Sequence, residues 1–372
     1  MVERFLKIAV LLCAVAAASF AHGAAAGRYR LVAYVANAEN LPTVDATKVT
    51  AVNFAFARID KVQVVLDAAA EKKLAQLVAL KKQNPNLKVL LSVGGWGADG
   101  FSNAASGEIA RRAFAASAAD IIARNQLDGL DIDWEYPGLP GPGIRFRDTD
   151  RENFTALLKT VRARFDDMAK RFGRSADDPY LLTAALADSE FVAHVELDQV
   201  HKYLDWINLM TYDFHNSLTK TTGHHAALRR SASAAADERS VEGAVEQFLK
   251  AGVPAAKLVV GVPFYGRAFT DVTAQNHGLD QPYGRYDGEH PWPQLKSEFI
   301  DRNGFVRYRD TLAHEPYLWN EEKRTFVTYD DPQSLKLKAD YVRSKKLGGM
   351  MYWEQSQDPD GQLVGILADK LH

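Results

Sequence analysis

The chain of 372 residues contains one cysteine, Cys13, so a fold held together by disulfide bonds is excluded. That cysteine lies in an apolar run over residues 8–20, which is too short to span a bilayer comfortably. Arg4 and Lys7 precede the run and small residues follow it, a pattern typical of a secretory signal peptide. We therefore predict a cleaved signal peptide over residues 1–26 and a secreted protein, either extracellular or periplasmic.

An excess of charge of either sign is also missing. Lys plus Arg number 45 and Asp plus Glu number 47, which gives a net charge of −2. This balance argues against a nucleic-acid partner and against a polybasic membrane contact. No later apolar run is long enough for a transmembrane helix, and no internal repeat or linker to a second module is visible. We expect a monomer that binds neither nucleic acid nor a membrane.

What the sequence does have is a series of short apolar strands that alternate with amphipathic helices. The fourth strand lies within residues 128–137, and the others are predicted over residues 31–35, 51–56, 88–93, 180–186, 206–212, 257–264 and 349–353. Helices are predicted over residues 70–82, 107–124, 150–172, 240–250 and 332–346, with Ser240 as an N-cap. This alternation predicts an α/β fold, a (β/α)8 TIM barrel, with a doubly wound open sheet as the alternative.

Two features favour the barrel over the open sheet. Polar residues cluster at the predicted C-terminal ends of strands, where barrel enzymes place their chemistry: Ser92, Glu135, Asp213 and Glu354. No glycine-rich phosphate loop follows the first strand, so a nucleotide-binding sheet lacks its usual signal and we expect no cofactor. A barrel takes about 250 residues, and the surplus falls mainly between the last two strands. We predict a barrel over residues 27–266 and 329–372, and a small α+β insertion over residues 267–328 that forms one wall of the cleft.

The stretch DGLDIDWEYP carries Asp131, Asp133 and Glu135 two residues apart. Because successive side chains of a strand point to opposite faces, these three carboxylates share one face. Adjacent acids without a base between them repel one another and cost stability, so a catalytic use is indicated. The alternative is an exposed edge strand with an acidic face. Asp128 has the opposite parity, and we expect it to fix the start of the strand.

This stretch resembles the DxxDxDxE signature of glycoside hydrolase family 18, the chitinase family. Further segments resemble motifs of the same family in the same order, namely SVGGW at 92–96, MTYD at 210–213, FYGR at 264–267, YDDP at 329–332 and Trp353. The resemblance covers nearly all of the mature chain. It implies a secreted chitinase that hydrolyses β-1,4 bonds between N-acetylglucosamine units of chitin or chito-oligosaccharides.

Catalytic roles follow from position and from the resemblance. Glu135 lies nearest the barrel mouth and is the predicted general acid, with its pKa raised by burial and by Asp133. Asp133 projects from the same strand on the same side, so it is poorly placed to attack the sugar from the opposite face. The resemblance implies that the substrate's 2-acetamido oxygen attacks instead, with net retention. Asp133 then orients the acetamide, Asp131 shares a proton with Asp133, and Tyr212 donates to the acetamide carbonyl.

The resemblance also implies a set of residues that contact the sugar. Trp353 is expected to form the hydrophobic floor of the cleavage site. The predicted substrate-binding residues are Tyr34, Phe56, Gly95, Trp96, Met210, Asp213, Tyr265, Arg267 and Trp353. Three alternatives stay open: a core role for Tyr34 and Phe56, a structural ion pair for Asp213 and Arg267, and a lid role for Trp96.

Two departures from a typical chitinase affect the expected substrate. Leu218 stands where related chitinases often carry a tryptophan, which favours soluble or short chito-oligosaccharides over crystalline chitin. His224 and His225 suggest a metal site, but adjacent histidines face apart in a strand, so we predict no metal. The alternative functions are an endo-β-N-acetylglucosaminidase on N-glycans, a hydrolase of peptidoglycan, and a non-catalytic chitin-binding lectin. Glu135 favours an enzyme, because such lectins typically lose the acid.

Overall fold

The computed structural model describes residues 29–372, so the predicted signal peptide and Cys13 lie outside the described residues. The strands of the described region are β1 (Arg30–Ala36), β2 (Ala51–Asp60), β3 (Gln63–Val65), β4 (Lys88–Gly94), β5 (Gly129–Asp133), β6 (Leu181–Leu186), β7 (Trp206–Leu209), β8 (Leu258–Pro263), β9 (Tyr265–Thr270), β10 (Arg285–Pro291), β11 (Val306–Asp310), β12 (Glu315–Asn320), β13 (Thr325–Thr328) and β14 (Gly349–Trp353). The helices are α1 (Ala68–Ala79), α2 (Phe101–Ala105), α3 (Glu108–Arg124), α4 (Asp150–Phe172), α5 (Leu197–Val200), α6 (Val241–Lys250), α7 (Trp292–Gln294), α8 (Pro332–Ser344) and α9 (Gln362–Leu371). No helix in this region combines the length and the apolar composition that crossing a bilayer requires.

Eight parallel strands close into a barrel in the order β1, β2, β4, β5, β6, β7, β8 and β14. The closing pair is β14 with β1, where Met350 lies opposite Leu31, while β1 also pairs with β2. Because the sheet closes on itself, the predicted (β/α)8 barrel is confirmed and the doubly wound open sheet is wrong.

The barrel strands are apolar almost throughout because both of their faces are buried. On β1, Val32 and Tyr34 point into the barrel, whereas Leu31, Ala33 and Val35 belong to the layer between strands and helices. Some of the helices that cover this layer begin at a polar cap. Asp67 accepts a hydrogen bond from the N–H of Ala70 at the start of α1. Ser240 likewise accepts from the N–H of Gly243, which confirms it as the N-cap of α6.

Two strands end several residues before their predicted limits, both at the barrel mouth. β5 ends at Asp133, so Glu135 lies just beyond the strand. β7 ends at Leu209 rather than at residue 212. Beyond Leu209 the side chain of Thr211 takes the place of backbone hydrogen bonds to β8. Its hydroxyl donates to the carbonyl of Gly261 at 2.7 Å and accepts from the N–H of Gly261 at 3.0 Å.

A five-stranded antiparallel sheet, in the order β10-β9-β13-β12-β11, lies between β8 and β14 in sequence. It begins at Tyr265, two residues before the predicted start of the insertion, and its last strand ends at Thr328. Lys338 of α8 joins this sheet to the barrel. Its ammonium lies 2.6 Å from both carboxylate oxygens of Asp330 and 3.3 Å from Glu315 of β12, and all three side chains are fully buried.

Candidate active site

An aromatic cluster occupies the C-terminal end of the barrel. Tyr34, Phe56, Met210, Tyr212 and Trp353, all predicted site residues, pack in this one cluster although they come from four separate segments. The rings of Phe56 and Trp353 are stacked, with centroids 5.6 Å apart and an interplanar angle of 21°. Tyr34 is tilted against Trp353 at 5.7 Å. The cluster gives the mouth an apolar floor on which the flat face of a sugar can stack.

Asp131 is fully buried beneath this floor and accepts four hydrogen bonds. Tyr34 and Ser92 donate to Oδ2 at 2.8 and 2.7 Å, and Thr183 and Asn208 donate to Oδ1 at 2.6 and 3.1 Å. Burial raises the pKa of Asp131, while these donors act in the opposite direction. The two oxygens are thus already engaged by the protein, and Asp131 is the centre of a network that joins β5 to four other barrel strands.

Asp133, the next inward-facing residue of β5, has a different environment. Its side chain is buried, and among the described residues Oδ1 has no hydrogen-bond partner. Burial, and then the charges of Glu135 and Asp131, raise the pKa of Asp133 well above its usual range. A buried carboxyl oxygen without a partner is costly unless a ligand or water satisfies it.

Glu135 lies just above Asp133 and is partly exposed at the mouth. Burial is the main cause that raises its pKa from 4.5 to about 7, and the negative charge of Asp213 adds to it. A hydrogen bond with Tyr136 acts in the opposite direction. Glu135 therefore retains a proton close to neutral pH, as a general acid requires.

The glycines of the SVGGW segment are explained by close packing at the end of β4. Gly94 has a φ of 118°, and a Cβ there would lie 1.9 Å from the carbonyl oxygen of Asp133. A Cβ on Gly95 would lie 2.6 Å from the ring of Phe56, and the N–H of Gly95 donates to the carbonyl of Asp133 at 2.9 Å. A side chain at Gly94 would displace the strand that carries the carboxylates, and one at Gly95 would displace the ring of Phe56.

Asp213, Tyr265 and Arg267 also meet at the mouth. Oδ1 of Asp213 accepts from the Tyr265 hydroxyl and from Nε of Arg267, each at 2.6 Å. Burial alone raises the pKa of Asp213, but the hydrogen bonds from His225 and Arg267 hold it well below its usual range. Asp213 and Arg267 thus form an ion pair that links the end of β7 to β9, and the carboxylate remains one-third exposed.

A second aromatic group lies beside Glu135 and includes Tyr136, which hydrogen-bonds the acid. Trp96 is 58% exposed and lies edge-on to Tyr136 at 6.3 Å. Tyr136 packs against Phe191 at 4.1 Å. The sequence analysis does not include Tyr136 or Phe191 among the site residues. Tyr136 could have been included, because it directly follows the predicted acid. Phe191 lies in a short 3₁₀ segment that has no periodic sequence pattern. Leu218 is 75% exposed.

A surface groove adjoins the aromatic cluster at Phe56. Its lining comes from the loop after β1, the β2–β3 hairpin and the start of α1: Asn37, Phe56, Arg58, Val65, Leu66 and Asp67. Lys73 of α1 donates to the side chain of Asn37 at 3.0 Å and thereby fixes one rim. Apart from Phe56, the sequence analysis does not predict these residues, because they lie in the hairpin and loops outside the apolar runs of the first two predicted strands.

The two adjacent histidines lie beside different carboxylates. Nε2 of His224 is 3.4 Å from Asp310, and Nδ1 of His225 is 3.6 Å from Asp213. Within residues 29–372, no three His, Cys, Asp or Glu side chains are arranged to hold a metal ion. Asp128 accepts from the N–H of Val89 at 2.7 Å, which confirms that it fixes the start of β5.

Comparison with known proteins gives one consistent result. The model of the "Glycosyl hydrolases family 18" matches residues 30–358. Chitinase A1 of Niallia circulans is 39% identical over 78% of this chain, and Chitotriosidase-1 of Mus musculus is 38% identical over 83%. The matched regions make up 44% and 67% of those proteins, so the chain spans less than half the length of the first.

Solved structures agree with the sequence matches. A family 18 N-acetylglucosaminidase from Paenibacillus barengoltzii superposes with a TM-score of 0.87 at 39% identity, covering 92% of this chain and all of that one. Chitinase ChiW from Paenibacillus superposes with a TM-score of 0.86 at 37% identity, covering 92% of this chain and 33% of that one. The family match extends over most of the sequence, and the barrel carries the motif residues at its mouth. The chain therefore belongs to the glycosyl hydrolases of family 18.

Proposed function

We propose that this chain is a chitinase that hydrolyses the β-1,4 bonds between N-acetylglucosamine units of chitin or chito-oligosaccharides. The observation that carries the proposal is the pair of carboxyls at the barrel mouth. Glu135 keeps its proton near neutral pH, and below it Asp133 presents a buried oxygen without a protein partner. The relatives named as chitinases support the choice of substrate.

Glu135 acts as the general acid. Its proton passes to the glycosidic oxygen as the bond from that oxygen to the anomeric carbon breaks, and the leaving sugar departs as an alcohol. The carboxylate that remains then takes a proton from the incoming water. The partial exposure of Glu135 supports this role, because both the sugar and the water must reach it.

The substrate's own acetamide supplies the nucleophile. Its carbonyl oxygen bonds to the anomeric carbon and forms an oxazolinium ion, which water opens from the other face, so the configuration is retained. Asp133 accepts the acetamide N–H, which satisfies its unpartnered Oδ1. Tyr212 donates to the acetamide oxygen. Asp131 is fully engaged by four protein donors, so its part is to support Asp133, and a proton shared between them stays a prediction.

The cleaved chain stacks on Phe56 and Trp353, and further sugar units continue into the groove lined by Asn37, Arg58 and Asp67. The antiparallel sheet forms one wall of the cleft through Arg267. Room for more than one unit on this side favours a chitinase over an enzyme that removes single terminal sugars. Exposed Leu218, where a tryptophan platform is common, favours soluble oligosaccharides.

A second candidate is an N-acetylglucosaminidase that releases single sugars. The protein from Paenibacillus barengoltzii is named an N-acetylglucosaminidase, and this chain covers all of its structure at 39% identity. Cleavage of N-glycans by the same chemistry is a further alternative from the sequence. Export directed by residues 1–26 also stays a prediction, which N-terminal sequencing of the mature protein tests.

The deciding experiment is a product profile on chito-oligosaccharides of about two to six units, beside an N-glycan and a plain β-glucan. We expect disaccharide and larger products of retained configuration, and no cleavage of the glucan, which lacks an acetamide. Glu135→Gln should abolish hydrolysis while oligosaccharide binding survives. Release of single sugars alone supports the N-acetylglucosaminidase, and cleavage of the glucan or an active Glu135→Gln enzyme would falsify the mechanism.

A further inference from the structure

We propose that Asp150 is a positioning residue for the general acid, through a latch that joins the two loops flanking Glu135. We define this Asp150 latch as the side chains of Ser102, Asn103, Arg147 and Asp150. The proposal rests on the proposed function, because it concerns the protonation of the leaving group by Glu135.

The loop that follows Glu135 needs such an anchor. Residues 137–149 contain no strand or helix, and their central glycines Gly138, Gly141 and Gly143 all have positive φ angles. Segments of this kind are held in place only by the hydrogen bonds of their backbone and side chains. Because the loop starts two residues after Glu135, its position affects the orientation of the Glu135 carboxyl group.

Asp150 supplies the anchor from the first turn of α4, where its side chain is fully buried. Oδ2 accepts from the backbone N–H of Arg147 at 2.7 Å and from that of Gly138 at 3.4 Å, so one oxygen holds both ends of the loop. Oδ1 accepts from the hydroxyl of Ser102 at 2.9 Å. Ser102 belongs to α2, which follows the loop that carries Trp96.

Arg147 completes the connection between the two loops. Its guanidinium donates to the hydroxyl of Ser102 at 2.6 Å and to the side chain of Asn103 at 2.8 Å. Nearer the tips, Asp99 of the first loop accepts from the N–H of Arg145 in the second at 3.1 Å. The latch thus fixes the loop of Trp96 against the loop that begins beside Tyr136.

The consequence for the acid follows from the packing around it. Tyr136 hydrogen-bonds Glu135 and packs edge-on against Trp96 of the other loop, and burial is the main cause of the raised pKa of Glu135. When the latch is lost, the two loops separate and water reaches Glu135. Its pKa then falls, so less of the acid is protonated at neutral pH. The carboxyl group is also held less firmly in position to protonate the glycosidic oxygen. The chemistry most affected is therefore the cleavage of bonds whose leaving group needs protonation.

The test measures kcat of the Asp150→Ala variant and of the wild type on two substrates. One is a chito-oligosaccharide, and the other is an aryl chitobioside with an activated dinitrophenol leaving group. We expect kcat to fall about tenfold or more on the oligosaccharide but less than about threefold on the aryl glycoside, since the latter needs little protonation. The alkaline limb of kcat/KM should move to lower pH. Asp150→Asn keeps an oxygen acceptor for both backbone N–H groups and should restore both values to within about threefold.

Asp358→Ala is the matched control. Asp358 is another fully buried carboxylate at a helix start, and it accepts from the N–H groups of Gln362, Leu363 and Val364 at α9. Its loss should lower stability without any dependence on the leaving group. If Asp150→Ala does not fold, Ser102→Ala decides, with a smaller effect in the same direction.

Equal losses on both substrates, or an unshifted alkaline limb in a folded variant, overturn the positioning role. A control that shows the same leaving-group dependence also overturns it. These outcomes leave the proposed function intact as long as Glu135→Gln is inactive, whereas an active Glu135→Gln enzyme refutes the proposed function itself.

Discussion

The hydroxyl of Tyr34 donates to Oδ2 of Asp131 across 2.8 Å, although 97 residues separate the two in sequence. The bond crosses the interior from β1 to β5, and Asn208 reinforces it by donating both to the Tyr34 hydroxyl and to Oδ1 of Asp131 at 3.1 Å. The catalytic strand is therefore held from inside the barrel by a carboxylate that has no oxygen left for substrate. This relationship separates the role of Asp131 from that of Asp133, although both carry the same functional group.

Asp131→Ala tests this supporting role. The change removes the acceptor of four buried hydrogen bonds, so we expect the free energy of unfolding to fall by about 3–5 kcal/mol. Urea denaturation measures it. Asp340→Ala is the control, because its ion pair with Lys370 is exposed and its loss should cost less than about 0.5 kcal/mol. A similar small loss for both variants contradicts the role given to Asp131.

Glu135→Gln should stabilise the protein at alkaline pH while it abolishes activity. The pKa of Glu135 rises from 4.5 to about 7 on folding, so the native state holds the proton over this interval while the unfolded state has released it. The stability of the wild type therefore decreases as pH rises through this window. Glutamine cannot ionise, and the variant should gain about 1–3 kcal/mol relative to wild type above about pH 8.

The measurement is thermal unfolding of both proteins at about pH 4 and about pH 8.5. We expect equal stability at the acidic pH, where Glu135 is protonated in both states, and a higher Tm for the variant at the alkaline pH. A difference that is constant across the whole range would mean that the glutamine acts through packing rather than through charge.

Asp213→Asn should shift the pH dependence of catalysis. The negative charge of Asp213 helps to raise the pKa of Glu135, so its removal lowers that pKa. An acid that loses its proton earlier moves the alkaline limb of kcat/KM to lower pH, by about 0.5–1 unit. Tyr265→Phe is the control, because it removes one hydrogen bond to Asp213 without a change in charge. Movement of the limb toward higher pH contradicts the electrostatic link.

Gly94→Ala should damage the fold at the end of β4. A Cβ there would lie 1.9 Å from the carbonyl oxygen of Asp133, and the φ of 118° strains any other residue. We expect a loss of about 3 kcal/mol or more in thermal unfolding. Gly107→Ala serves as the comparison, since nothing lies within 4 Å of its added Cβ, and it should change stability by less than about 0.5 kcal/mol. A tolerated Gly94→Ala contradicts the close-packing explanation.

The barrel could be predicted from the sequence because its strands are buried on both faces. Segments such as residues 31–35 and 349–353 then become short apolar runs between helical patterns, and their limits differ from β1 and β14 by at most one residue. The acidic strand was visible for a related reason. Alternation placed Asp131 and Asp133 on the interior face, where carboxylates are rare enough to indicate a function.

Contacts that depend on loops could not be predicted in the same way. Phe191 reaches Tyr136 only because separate segments fold against one another, and Asp150 reaches Gly138 only because the loop between them turns back on itself. Nothing in the local sequence pattern of these segments encodes either approach. β7 was predicted too long because the side chain of Thr211 replaces backbone pairing, and sequence periodicity cannot distinguish the two.

The buried ammonium of Lys338 makes the antiparallel sheet inseparable from the rest of the molecule. Removing the sheet would take away the carboxylate of Glu315 and expose Asp330 to water. The ammonium of Lys338 would then lose one of its two buried carboxylate partners. The extra sheet is thus no detachable accessory that could be grafted or trimmed at will. In scanning calorimetry the two parts should melt together in one transition, and a separate early transition for the sheet would contradict this coupling.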